Sequence, residues 1–88
     1  MRLELSLRAE ADLDEIANYS VAEFEVESAM LYLDAIEKAF RRLVEHLMIG
    51  SQRVELGATV RSYPAGEHRI FHEVRGESVF VIRLLHKR

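Results

Sequence analysis

The spacing of hydrophobic residues changes twice along this chain, and each change marks a different kind of element. Residues 2–6 alternate between polar and apolar, which predicts a short strand. From Ala9 onward the apolar residues recur at helical spacing, and Ser6 just before them is a suitable N-cap. We therefore expect a helix over residues 7–23.

A second helical stripe is longer and more regular. Its apolar positions fall within Ala29–Leu47, with a capping residue, Ser28, before them and Gly50 after them. On the polar side Glu37 precedes Arg41 by one turn, a favourable spacing for an ion pair. The pattern predicts a helix capped by Ser28 and closed by Gly50, joined to the first helix as a hairpin.

The last third of the chain alternates with a period of two and is divided by turn residues. Predicted strands cover residues 59–63, 68–74 and 79–85, after a loop over residues 50–58. Short separations between the strands imply antiparallel hairpins. The whole pattern predicts one α+β domain over residues 1–88, in which an N-terminal strand precedes a helical hairpin packed on a three-stranded antiparallel meander (β-α-α-β-β-β).

Strict alternation then divides the strand residues between two faces of the sheet. The face predicted to meet the helices carries Ile70, Val74, Phe80, Ile82 and Leu84. The opposite face is predicted to carry Arg61, Tyr63, Arg69, Phe71, Val81, Arg83 and Leu85. A purely solvated face has no need to mix apolar groups with arginines. This mixture suits a protein partner that supplies carboxylates and apolar groups.

Composition and charge narrow the classes of function. The 88 residues include no cysteine, no stretch long and apolar enough to span a membrane, and no secretion signal, so we expect a cytoplasmic protein. Residues 1–50 carry a net charge of −6 and residues 51–88 carry +3. With an overall pI of 5.8, the chain is not expected to bind nucleic acid in a sequence-specific way. Histidine spacing typical of a metal site and glycine-rich cofactor motifs are lacking, so no cofactor is predicted.

The histidines and carboxylates of the chain are also compatible with an enzyme that cleaves RNA. RNA cleavage needs a base, a cation for the phosphate and an acid, and His86 could serve as the acid beside Arg69 or Arg83, with Glu73 as a base. His72 has core parity and is expected to be buried and hydrogen-bonded. The acidic run over residues 10–15 is expected to be a solvated helix face.

Four segments together resemble the ParE branch of the ParE/RelE toxin superfamily, in the same order and at the same spacings. They read A-E-A-D-L-D-E-I at 9–16, Y-L-D-A-I-E-K-A-F at 32–40, R-S-Y-P-A-G-E-H-R-I-F-H-E-V at 61–74 and V-I-R-L-L-H at 81–86. The family's basic motif positions match Arg61, Arg69, Arg83 and His86. Two departures concern the short tail after His86 and the residues Glu67 and His68, which stand where the family more commonly has basic or aromatic residues.

The resemblance implies a small toxin of a type II toxin–antitoxin module. Its expected partners are a ParD-like antitoxin, in a hetero-oligomer, and DNA gyrase, which such toxins inhibit by binding rather than by catalysis. The residues expected to contact the antitoxin or the target are Arg61, Tyr63, Arg69, Phe71, Val81, Arg83, Leu85 and His86. One alternative is a RelE-like ribosome-dependent endoribonuclease that uses Arg61, Arg69, Arg83 and His86. The other is a degenerate toxin that only binds antitoxin.

Overall fold

A helical hairpin lies on one face of a five-stranded sheet in the computed structural model, which describes residues 1–87. The elements are β1 (Arg2–Leu5), α1 (Leu7–Glu23), α2 (Val26–Glu45), β2 (Ser51–Gln52), β3 (Arg61–Ala65), β4 (His68–Arg75) and β5 (Ser78–His86). The strand order is β1-β5-β4-β3-β2, with β1 parallel to β5 and the other pairs antiparallel. The predicted α+β fold is confirmed, with the short strand β2 added inside the predicted loop.

Ser6 joins the first strand to the first helix. Its hydroxyl accepts a hydrogen bond from the Ala9 N–H at 2.9 Å and donates one to the Ile82 carbonyl at 2.7 Å. The first of these bonds satisfies an otherwise unpaired N–H in the first turn of α1, while the second fixes the helix start against β5. Helix α1 therefore covers the predicted residues 7–23.

The predicted ends of α2 are wrong at both termini. The helix begins at Val26 with Glu25 as its N-cap, so Ser28 lies inside it. It ends at Glu45 because Leu47 and Ile49 turn back to pack against the core, well before Gly50. Gly50 instead has a φ of +93° in the turn that leads to β2.

Strand β3 covers Arg61–Ala65, so both ends of the predicted strand 59–63 are wrong by two residues. Pro64 lies within it, although proline was expected to end the strand. The proline is tolerated because β2 pairs with β3 only at Arg61 and Ser62, so the later part of β3 is an edge with no ladder bond to lose.

The core lies between the hairpin and the sheet. Its buried side chains are Ala9, Ile16, Ile36, Ala39, Leu43, Ala65, Ile70, Val79, Val81 and Leu84. Within residues 1–87, no helix is long and apolar enough to cross a membrane.

An irregularity in β5 changes which side chains face the helices. Phe71 pairs with Arg83 while the adjacent His72 pairs with Val81, so Ile82 is an extra residue, a β-bulge. Val79 and Val81 before the bulge and Leu84 after it all reach the core. Strict alternation had placed Val81 on the opposite face, and this prediction is wrong because Val81 is 0% exposed.

The predicted faces of three further residues are corrected. Phe80 pairs with Glu73 on the face away from the helices, although it was predicted to lie in the core. Arg61 pairs with His72, and Tyr63 pairs with Ile70, so both lie on the helix side of the sheet. Tyr63 packs against the core there. The register of β3 against β4 caused this shift, because it places Ser62 rather than Arg61 beside Phe71.

Candidate functional site

The sheet face away from the helices, here called the open face, carries the densest set of interacting polar groups. Its members are Arg53, Ser62, Arg69, Phe71, Glu73, Arg75, Phe80, Arg83 and Leu85. The predicted open-face residues Arg69, Phe71, Arg83 and Leu85 are brought together here.

Two arginines meet at one serine in the middle of the open face. Arg53 Nε donates to Ser62 Oγ at 3.0 Å, and Arg69 Nη1 approaches the same oxygen at 3.5 Å. The Arg53 guanidinium also lies 5.6 Å from the centroid of the Phe71 ring, within cation–π range. Ser62 is 1% exposed beneath these side chains.

This pair of arginines has little internal neutralisation. Arg53 reaches the exposed Glu55 at 3.5 Å, a contact that solvent screens strongly. Among residues 1–87, no Asp or Glu carboxylate lies within 4 Å of the Arg69 guanidinium. Two like charges are thus held beside one hydroxyl, an arrangement that an incoming carboxylate or phosphate stabilises.

The end of the open face near the β4–β5 turn is neutralised within the chain. The Glu73 carboxylate accepts from the Thr59 hydroxyl at 2.7 Å and from Arg75 Nε at 2.6 Å. The Thr59 hydrogen bond, together with the bond and charge of Arg75, lowers the pKa of Glu73 against the opposing effect of burial. Arg75 also lies 3.9 Å from the centroid of the Phe80 ring. This end therefore offers little net charge to a ligand.

Arg83 is bound by a carboxylate that sequence reasoning assigned to a solvated helix face. Its Nε donates to Asp12 Oδ2 at 2.7 Å and its Nη2 to Oδ1 at 2.9 Å. The signal for this role is present in the sequence, because Asp12 falls on the same buried stripe of α1 as Ala9 and Ile16. The prediction of a wholly solvated acidic run is wrong at this position.

The other predicted site residues lie elsewhere. Arg61 is on the helix side, where its Nη1 donates to the Gly50 carbonyl at 3.1 Å. His86 pairs with His68 at the end of the sheet, with ring centroids 5.2 Å apart. The residues of the endoribonuclease alternative are therefore divided between the two faces of the sheet, since Arg69 lies on the open face.

His68 connects the end of the sheet to α2. Its Nδ1 lies 2.6 Å from the Tyr32 hydroxyl oxygen, which also accepts from the Glu67 N–H at 2.9 Å. Burial and the neighbouring His86 lower the pKa of His68. No group of three or more metal-ligating side chains occurs among the described residues.

His72 is buried as expected, but the expected hydrogen bonding is absent at one ring nitrogen, Nε2. The side chain is 1% exposed, and Nε2 has no partner among residues 1–87. Burial and the charge of Arg61 lower the pKa of His72 to about 4.

A second exposed surface lies where the two helices meet. The side chains of Tyr19, Phe24, Val26, Met30 and Leu31 are between 55% and 70% exposed, although all are apolar or aromatic. Tyr19 and Phe24 make an edge-to-face contact with their centroids 6.3 Å apart. We call these five residues the hairpin patch; exposed apolar groups at such density are typical of a protein-binding surface.

Arg53, Arg75 and Phe80 belong to the open face but were missing from the residues predicted for it. Arg53 comes from the irregular segment after β2, where no periodicity assigns a face. Phe80 was assigned to the wrong face by the parity that the bulge at Ile82 interrupts.

Comparison with known proteins gives consistent matches along the chain. The family model of the ParE toxin of type II toxin–antitoxin systems, parDE, matches residues 3–88. Toxin ParE1 of Caulobacter vibrioides is 37% identical over 83 residues, which cover 94% of this chain and 85% of that protein. Toxin ParE1 of Mycobacterium tuberculosis is 34% identical over 88 residues, or 99% of this chain and 90% of that protein.

The fold also matches a solved structure. A chain from the chromosomal ParDE TA system from P. aeruginosa has a TM-score of 0.82 and 22% sequence identity, with 100% of this chain and 97% of that chain covered. The likeness therefore includes both helices and every strand of the sheet.

Proposed function

Since this chain belongs to the ParE toxin family of type II toxin–antitoxin systems, we propose that a ParD-like antitoxin neutralises it by covering the open face and that the released toxin inhibits DNA gyrase. Membership in the family confirms the resemblance seen in the sequence. It makes the protein a toxin whose partner is an antitoxin. We propose in addition that the antitoxin is ParD-like, that it contacts the open face, and that the toxin's target is gyrase.

The observation that supports the antitoxin surface is the meeting of Arg53 and Arg69 at Ser62. Two guanidinium groups at one point repel each other in the free toxin, and a partner carboxylate relieves that repulsion with charge-assisted hydrogen bonds. Phe71 beside them, and the half-exposed Leu85, offer apolar contact to the same partner. Such mixed contacts are typical of the fully buried centre of a protein interface.

Paired substitutions test this surface. The variant Arg53→Gln/Arg69→Gln removes both charges from the open face, whereas Arg41→Gln/Arg42→Gln removes two exposed charges from α2. Loss of a desolvated charge pair at an interface costs about 2–5 kcal/mol, so calorimetric titration with the ParD-like antitoxin should give a Kd at least about 30-fold weaker for the open-face variant alone. Equal affinity of the two variants would move the antitoxin away from the open face.

Action by binding is favoured over RNA cleavage by where the candidate residues lie. Arg61 is on the helix side of the sheet and His86 is at its end, while Arg83, on the open face with Arg69, is neutralised by Asp12, so the four residues do not form one catalytic site. We expect purified toxin to increase the amount of gyrase-cleaved plasmid DNA, and antitoxin to reverse the increase. Cuts in mRNA that require ribosomes and disappear in His86→Ala would support the endoribonuclease instead.

The proposed site of action is the cytoplasm, where gyrase and DNA are found, with the toxin held there in a hetero-oligomer with its antitoxin. Expression without antitoxin provides the cellular test. Growth arrest is expected, and normal growth with soluble, folded toxin would favour a degenerate toxin that only binds antitoxin.

A further inference from the structure

A pocket with Arg61 in its wall lies beside β3 and β4 and shares only Glu73 with the open face. Its volume is about 200 Å³, and it lies between the turn after α2 and the strands β3 and β4. Its walls include Leu47, Met48, Val60, Arg61, His72 and Val74. We call it the Arg61 pocket.

Arg61 is the charged group of the pocket that can bind an anionic ligand. Its Nη1 donates to the Gly50 carbonyl, which fixes the guanidinium in place. Among residues 1–87, no Asp or Glu carboxylate lies within 4 Å of that guanidinium. A fixed, half-buried guanidinium of this kind matches the two oxygens of a carboxylate.

The other titratable groups of the pocket leave its charge positive. Glu73 also contributes to the wall, but its carboxylate oxygens are held by Thr59 and Arg75. The imidazole of His72 is neutral at physiological pH, because its pKa is lowered to about 4. Its Nε2 is buried against Gly50, where a Cβ added to that glycine would lie 3.4 Å away. The ring therefore forms part of the pocket wall and is not a ligand-binding group.

Apart from Gln52 and Thr59, the remaining walls are apolar and favour an aliphatic group. Leu47, Val60 and Val74 are apolar, and Met48, with 68% of its surface exposed, stands at the solvent side. A water molecule occupies about 30 Å³ in the liquid, so a pocket of about 200 Å³ accommodates a branched ligand of about seven non-hydrogen atoms. Pockets of this mixed character take ligands whose polar end is fixed by one or two groups and whose body is apolar.

We propose that the Arg61 pocket binds a short aliphatic carboxylate, with the carboxylate on Arg61 and the branched body against Leu47, Val60 and Val74. Two sources supply this chemistry: a free short-chain acid, or the C-terminal carboxylate of a peptide that ends in an aliphatic residue. The site adjoins the open face at Glu73 but contains neither Arg53 nor Arg69, and it does not depend on the gyrase proposal.

Titration of isotope-labelled toxin, followed by NMR, tests the proposal with isovalerate and N-acetyl-glycyl-leucine as probes. Their neutral counterparts, isovaleramide and the peptide amide, preserve the shape without the charge. Ligands of this size bind with a Kd of about 1 mM, and the resonances of Arg61 and Val60 should move with the carboxylates alone. The tighter of the two acids identifies the source. Equal binding of acid and amide, or no shift with any probe, would overturn the proposal.

Two variants act on different parts of the pocket. Arg61→Gln should weaken binding of the acids about tenfold or more, whereas Arg41→Gln on the exposed side of α2 should leave it unchanged. Ala58→Leu enlarges an exposed side chain in the pocket wall and should reduce binding while Arg61 remains. This second variant preserves the test if Arg61→Gln unfolds the protein. Wild-type affinity in either folded pocket variant contradicts the proposed site.

Discussion

Arg83 and Asp12, 71 positions apart in the chain, form an ion pair with two hydrogen bonds of 2.7 and 2.9 Å. The same carboxylate accepts the Leu84 N–H at 3.0 Å. Strand β1 pairs with β5 only as far as Leu5 and Val81, so Asp12 takes over at the edge of β5 where β1 ends. The Asp12 side chain therefore accepts a backbone N–H of β5 beyond the end of β1, and it also binds Arg83 next to the bulge.

Asp12→Asn should lower the free energy of unfolding by about 2–3 kcal/mol, because a largely buried charge-assisted pair is lost. Asparagine keeps an oxygen that can accept the Leu84 N–H, so the change reports chiefly on the ion pair. Glu37→Gln breaks the exposed pair with Arg41, whose atoms are 3.7 Å apart, and should change the stability by less than about 0.5 kcal/mol. Urea unfolding at pH 7 measures both. Similar values for the two variants would show that the Arg83 pair adds nothing beyond a surface contact.

Acidification should remove the difference between wild type and Asp12→Asn. Burial acts to raise the pKa of Asp12, but the hydrogen bonds from Arg83 and Leu84 and the charge of Arg83 outweigh it and lower that pKa below its usual 3.8. A lowered carboxyl pKa stabilises the folded state above the unfolded value, and the stabilisation is lost as the pH falls through the folded pKa. The difference between the urea midpoints of the two proteins should begin to shrink below about pH 4 and continue to shrink as the pH falls further. A constant difference down to pH 2 would contradict this assignment.

His72 should make the fold sensitive to mild acid. Its pKa is lowered from 6.5 to about 4, chiefly by burial and then by the charge of Arg61. The unfolded chain therefore binds a proton that the folded chain excludes, and stability falls by about 3 kcal/mol between pH 6.5 and pH 4.

His72→Phe removes this proton and also the unpaired Nε2, so it should unfold with a flatter pH dependence over that range at a similar stability near pH 7. NMR titration of the imidazole checks the assignment directly. A His72 resonance that titrates near pH 6.5 in the folded protein is incompatible with it.

Two glycines with positive φ should respond differently to alanine. Gly50 has a φ of +93°, and a Cβ there would stand 2.4 Å from the Ser62 carbonyl oxygen. Gly76 has a φ of +57° with no neighbouring atom within 4 Å. We expect Gly76→Ala to cost about 1 kcal/mol of unfolding free energy from backbone strain alone, and Gly50→Ala to cost at least about 3 kcal/mol. Thermal unfolding measures the stability of both variants. The reverse order would show that the turn at Gly50 does not approach Ser62 of β3 this closely.

The bulge at Ile82 predicts opposite sensitivities for two neighbouring apolar residues. Val81 is fully buried in the core, whereas Leu85 is 39% exposed on the open face. Val81→Ala should therefore destabilise the protein by about 2 kcal/mol, and Leu85→Ala by less than about 1 kcal/mol although it removes more atoms. Antitoxin titration adds a second readout, since Leu85→Ala should weaken the complex even though it lowers stability only slightly. Equal destabilisation would support an unbroken alternation along β5.

The start of helix α1 could be predicted from the sequence, because the Ser6 hydroxyl caps the first turn through the Ala9 N–H three residues away. The faces of β5 could not, because its alternation is interrupted at Ile82. That bulge coincides with a long-range bond, in which the Ser6 hydroxyl donates to the Ile82 carbonyl across 76 positions. A period of two carries no information about such an extra residue.

Some residues of the open face could likewise be predicted from the sequence, and others could not. Arg69, Phe71 and Leu85 fall on the open face as their alternation indicates. Arg53 could not be assigned, because it comes from irregular chain whose direction is set by tertiary contacts with Ser62 and Phe71. The role of Asp12 could have been predicted, since it lies on the buried stripe of α1 and a buried carboxylate requires a partner.

The position of β5 within the sheet has a consequence for biosynthesis. A ribosome makes the chain from its amino end, so residues 78–86 emerge after the other strands, yet β5 lies between β1 and β4 and pairs with both. Until it emerges, β1 has no neighbour, and the core lacks Val79, Val81 and Leu84. The open face of the nascent chain therefore lacks Phe80, Arg83 and Leu85, and an antitoxin that needs the complete face binds only after β5 has left the exit tunnel.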